Sequence, residues 1–153
     1  MKTLLKYFTL IGIITGLFLP LILWLITGEK KDSFSEYYFT EAKTVFLVSL
    51  TIISITFIIH SKKWFIPGIF LLGLTYFNCR DYGLIHNFFA YVFFAYSTIL
   101  IVRDKRYYKI GYLIIISTPV VLTSIYYFEL ISVCLITIFH IKYLKLMFKA
   151  DLL

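Results

Sequence analysis

Charged residues are scarce in this chain: Asp, Glu, Lys and Arg make up 15% of 153 residues, against about 25% in soluble domains. So little polar surface cannot clothe a core of this length in water, which excludes a soluble fold. Cysteine is scarce too. Two residues, Cys79 and Cys134, exclude a disulfide scaffold and are expected as separate thiols. Three prolines and seven glycines are too few for a low-complexity or disordered chain. The three histidines, His60, His86 and His140, show neither H-x-x-x-H nor H-E-x-x-H spacing, so no metal and no cofactor is expected.

What fills the space is apolar. Hydrophobic residues reach 61% and aromatics 20%, with a mean hydropathy of +0.90. The charged residues divide the chain into uncharged blocks at 7–28, 44–61, 64–79, 82–102, 110–128 and 130–141. A spanning helix needs about 20 apolar residues. The expected fold is therefore all-α: a polytopic bundle of six transmembrane helices in one domain, at about 5–27, 34–61, 64–79, 82–102, 110–127 and 129–148. Five spans with one re-entrant element is the alternative count. With six spans and a cytoplasmic N-terminus, Lys30, Lys31, Lys43 and Arg80 fall outside and every other basic residue inside. Basic short loops stay in the cytoplasm, so both termini are expected inside a cell membrane. The net charge of +7 then belongs to loops facing anionic headgroups, and no nucleic-acid partner is expected. The first apolar run is longer than a signal-peptide core and holds Pro20 and Trp24, so it is expected to be a retained helix.

Local patterns refine this. Ser33-x-x-Glu36 is a capping box, which predicts that the second helix starts at Phe34 and carries Tyr37 and Tyr38 at headgroup depth. Gly12-x-x-x-Gly16 predicts close helix packing within the bundle. Pro20, Pro67 and Pro119 lie within spans and are potential kinks. His60 and His140, beside Lys62 and Lys142, are expected as interfacial anchors.

Ionisable groups deep in a span are functional candidates by default, and here the polar residues gather at the outer side. Arg80 and Asp81 form the turn before the fourth helix; His86 and Asn87 follow one turn inside it. Glu129 is expected in the turn between the fifth and sixth helices, and Glu36, Tyr37 and Tyr38 precede the membrane part of the second. Ala90, Phe93 and Ser97 share a helix face with His86, and His86 is expected to pair with Asp81, Glu129 or Glu36. Aspartate and histidine can act as base and orienter, but no nucleophile is placed beside them, so these eight are ligand-binding candidates with no catalytic residue assigned.

Ser33-Phe34-Ser35-Glu36-Tyr37-Tyr38-Phe39-Thr40 with Val45-Phe46-Leu47-Val48 resembles the S-x-S-x-Y-Y-x-T…VFVG pattern of a family of small bacterial multi-span membrane proteins. His86, Ala90 and Phe93-Phe94 are similar to that family's H-x-x-x-A-x-x-F-F segment. The chain departs at Val48, where that family has glycine. The resemblance implies a multi-span topology in a bacterial membrane and no particular activity. The expected role is a non-enzymatic subunit, assembly factor or lipid-binding module, with the bilayer and a membrane-protein partner or second copy as companions. An oligomeric pore is the first alternative and an outer-leaflet enzyme using Asp81, His86 and Glu129 the second.

Overall fold

Long uncharged runs leave the backbone no partner but itself in lipid, and helices are the result. A computed structural model describes residues 2–150, with side chains described for 5–146. Six α-helices follow one another: α1 (Lys2–Thr27), α2 (Lys43–His60), α3 (Phe65–Tyr76), α4 (Gly83–Arg103), α5 (Tyr108–Ser117) and α6 (Ile125–Ala150). Two 3-10 segments, Phe34–Phe39 and Thr118–Leu122, complete the order, and no strand occurs among the described residues. Each helix packs on the next and α6 closes back onto α1, giving a ring in chain order.

Among the described residues, four helices, not the expected six, are long and apolar enough to cross a membrane: Leu5–Thr27, Lys43–His60, Gly83–Arg103 and Ile125–Leu146. The remaining two, Phe65–Tyr76 and Tyr108–Leu122, are apolar but shorter. Their stops have local causes. Pro119 has no N–H with which to continue the α-helical ladder; α5 ends at Ser117, and the Thr118 N–H bonds Ile115 O as the chain tightens into a 3-10 turn. Asn78 Oδ1 accepts the Arg80 and Asp81 backbone N–H groups at 3.1 and 2.9 Å, a turn that competes with continuing α3. α1 runs through Pro20 and ends on Gly28, whose φ of +69° suits glycine; its N–H donates to Trp24 O at 2.8 Å, the αL cap.

Two expected boundaries are corrected. Helix α2 begins at Lys43, not at Phe34. Ser33 makes no side-chain cap bond; the Glu36 N–H donates to Ser33 O at 3.3 Å instead, the bond of a 3-10 turn. Helix α6 begins at Ile125, so Glu129 lies within it rather than in a turn.

Glycines set the closest helix approaches. A Cβ at Gly12 would stand 2.5 Å from Thr56 Oγ1, and one at Gly16 would stand 3.4 Å from Thr137 Oγ1. The Gly12-x-x-x-Gly16 pair therefore seats α1 on α2 and α6 inside the chain.

Candidate functional site

The eight candidate residues do gather at one end of the bundle, built around the Phe34–Phe39 cap. Its first N–H, that of Phe34, donates to Glu129 Oε2 of α6 at 2.7 Å. The Tyr126 N–H of α6 donates to Asp32 O at 3.0 Å, and the Phe34 and Tyr126 rings meet edge to face at 5.0 Å. Tyr37 is fully buried and its hydroxyl donates to Glu29 O at 3.2 Å. The cap is thus tied to the residues just past α1 and to α6.

His86 ties it to α4. Its Nδ1 stands 2.6 Å from Phe77 O, a carbonyl that can only accept, so Nδ1–H donates. Nε2 is then an acceptor, and the Ser35 hydroxyl donates to it across 2.9 Å. The expected partners are not used: Asp81 instead accepts from Asn78 Nδ2 at 2.8 Å, Glu129 is engaged with Phe34, and Glu36 sits half-buried on the cap. The predicted face of α4 is correct in orientation, since His86, Phe93 and Ser97 are all buried.

The rest of the cluster faces outward. Arg80, Asp81 and Asn87 are exposed. Arg80 lies over the Phe39 ring at 4.0 Å and Lys43 over Tyr38 at 4.2 Å, contacts worth about 0.5–1 kcal/mol each at exposed sites. Cys79, in the same turn, is half-buried, and burial pushes its thiol above the ordinary value. Both cysteines are free. Chemically this end is a clasp: its buried donors and acceptors are matched with one another.

At the opposite end lies a cluster that local sequence patterns assign to the interface. His60 and His140 are not interfacial anchors; they are 6% and 2% exposed. His140 stacks on Phe57 at 4.7 Å and meets Trp64 edge to face at 4.3 Å. His60 lies 5.4 Å from the His140 ring and 5.0 Å from that of Tyr143. Their neighbouring lysines misdirect the prediction: Lys62 lies past the end of α2, and Lys142, two residues beyond His140, is about 200° around α6 from it. The available signal is the aromatic spacing, Phe57 with His60 on α2 and Phe139, His140 and Tyr143 on α6, which marks facing helix surfaces.

Between the two ends runs an internal cavity of about 70 Å³. Along α1 it reaches from Thr9 to Pro20, roughly 16 Å at 1.5 Å per residue. Phe34 and Phe46 line it toward the cap, Ile53, Leu71 and Phe93 its middle, and Thr56, Thr137 and His140 its far end. Pro20, Leu50 and Val133 on its wall are only half-buried, so the slot borders the outer surface of the bundle. No cluster of three or more potential metal ligands occurs among the described residues.

No curated protein and no solved structure matches the chain. Residues 18–150, which hold the cap, all three histidines and the slot walls other than its Thr9–Gly16 stretch, match one family along most of the chain's length, and the protein belongs to that family of unknown function, DUF7103.

Proposed function

We propose that this protein is a non-enzymatic lipid-binding module of a bacterial cell membrane, crossing the bilayer six times with both termini in the cytoplasm. The observation that carries the proposal is the narrow slot between α1, α2 and α6, whose walls are apolar apart from a few hydroxyls and His140. Such a lining suits a hydrocarbon chain and offers a hydrated ion no ring of charge. The clasped cap speaks the same way: Glu129 is committed to the Phe34 N–H, and the Ser35–His86 pair, although a hydroxyl beside an imidazole base, is spent on tying the cap to α4, with His86 buried. Helices α3 and α5 cross as members of the closed ring, with their short apolar lengths met by local thinning of the bilayer. A membrane-protein partner or a second copy would use the lipid-facing surface of that ring.

Native mass spectrometry after mild extraction tests lipid binding. The wild type is expected to retain one apolar molecule per chain. At Gly16 a Cβ has ordinary contacts, 3.4 Å to Thr137 Oγ1 and 3.8 Å to Ile53 Cδ1, so Gly16→Leu keeps the helix seat and projects into the slot. That variant is expected to accumulate folded and to lose the retained molecule. Equal retention by both proteins would overturn the proposal.

Topology is tested at Cys79 in a Cys134→Ser background. A membrane-impermeant maleimide is expected to label Cys79 on intact cells. Only the thiolate reacts, and burial holds the Cys79 thiol above its ordinary value. The rate is therefore expected to be slow at neutral pH and to keep rising beyond the ordinary thiol range of about 8.5. Labelling only after permeabilisation would reverse the orientation.

A further inference from the structure

The two ends of the bundle carry unlike charge. At the cap end, residues 29–43, 80–81 and 129 hold six acids and four bases. At the histidine end, the eight basic residues between 62 and 145 other than Arg80 are all exposed. Asp104 is the one acid there among the described residues. Its carboxylate accepts from Arg106 Nε and Nη2 at 3.2 and 3.1 Å, and none of the other seven bases has an ion pair among the described residues. Holding basic loops on one side of a membrane requires only their number. It does not require that they meet.

Here three segments bring cations to one ring. Lys142 of α6 lies 5.9 Å and Arg106 of the α4–α5 loop 5.7 Å from the Tyr107 ring centre, and the Tyr107 hydroxyl donates to Lys142 O at 3.4 Å. Arg106 holds the Asp104 carboxyl below its ordinary range, and Lys63 of the α2–α3 loop adds to that from nearby. Three like charges sharing one acid repel one another and favour a bound anion. Arg106 Nη1 makes no bond, and Lys63 and Lys142 are exposed on flexible stems. All three can turn to one group. Beside them, exposed Phe65 and Ile66 begin α3 and exposed Tyr108 begins α5. An anion that meets both surfaces carries a phosphate and a hydrocarbon chain; a free phosphate or an acidic protein segment leaves the apolar part uncovered. We infer that the Lys63–Arg106–Lys142 cluster binds the phosphate of an anionic phospholipid, its acyl chains lying against the exposed apolar residues that begin α3 and α5. This site is separate from the slot and goes beyond the reading above.

Full-length protein in neutral-detergent micelles at low salt is titrated with phosphatidylglycerol and with phosphatidylcholine of the same acyl chains, followed by native mass spectrometry. Phosphatidylglycerol is expected to bind at least about tenfold more tightly. One cation near an anionic headgroup is worth about fivefold in affinity. Lys63→Gln and Lys142→Gln are therefore each expected to weaken phosphatidylglycerol binding about fivefold and to leave phosphatidylcholine binding unchanged. Lys43→Gln, at the cap end, is the control and is expected to change neither. All three lysines are exposed, so the variants are expected to accumulate folded. Equal binding of the two lipids overturns the proposal. An equal loss in all three variants reports diffuse attraction and overturns the site. Displacement of phosphatidylglycerol by inorganic phosphate at matching concentration, or tighter binding of polyglutamate, overturns a lipid as the source of the anion. The preference is expected to persist in Gly16→Leu; its loss there would place the anionic lipid in the slot and overturn the surface assignment.

Discussion

Replacing His86 with alanine is expected to destabilise the folded protein by about 2–4 kcal/mol, since two buried polar partners at about 1–2 kcal/mol each lose their bonds. His86 is 5% exposed and is the one side chain that holds both Phe77 O, at the end of α3, and Ser35 of the cap. Without it the Phe77 carbonyl is orphaned and the cap loses its hold on α4, keeping only its ties to the residues just past α1 and to α6. His86→Gln can present one N–H to Phe77 O and is expected to recover part of the loss. The measurement is a reversible unfolding titration in mixed micelles, with folded yield as a second readout. An alanine variant as stable as the wild type would show that the cap is not held through His86 and would restore this residue as a candidate for chemistry.

Gly68→Ala is expected to cost about 2–3 kcal/mol or more. A Cβ at this position would stand 2.8 Å from the Ile58 backbone N and 2.9 Å from Ser54 O. Both are main-chain atoms of α2, so relief requires moving one helix off the other rather than turning a side chain. The loop between them, residues 61–64, is short and limits such movement. Gly16→Ala is the control: its Cβ meets nothing closer than 3.4 Å, and a helical glycine replaced by alanine gains up to about 1 kcal/mol. Opposite signs are expected for the two substitutions in the same titration. If both are neutral, α2 and α3 are not in backbone contact at Gly68.

The limits of the long apolar helices are legible because uncharged length is a local property. The blocks at 7–28 and 82–102 fall on α1 and α4 within a few residues. The start of α2 departs from the local pattern. Ser33 and Glu36 form a capping box in sequence, yet the Glu36 N–H bonds Ser33 O in a 3-10 turn that Glu129 of α6 and His86 of α4 hold at the Phe34 N–H and Ser35, and nothing within the segment announces either. Glu129 was assigned to a turn because carboxylates belong there by default; its partner is a backbone N–H separated by most of the chain. The candidate residues lie together at one end of the bundle, but composition alone cannot say that their polar groups are mutually satisfied. The histidine pair was missed altogether. It arises from the contact between α2 and the closing helix of the ring, a pairing that no periodicity along one helix encodes.

Photo-crosslinking in native membranes with an alkyl-diazirine lipid, followed by peptide mapping, reads directly whether a lipid chain enters the slot between α1, α2 and α6. Adducts are expected on slot residues such as Ile53, Thr56, Val133 and Thr137, and are expected to disappear in Gly16→Leu. Adducts confined to outward residues such as Leu17, Phe18 and Leu21, unchanged by Gly16→Leu, would contradict it.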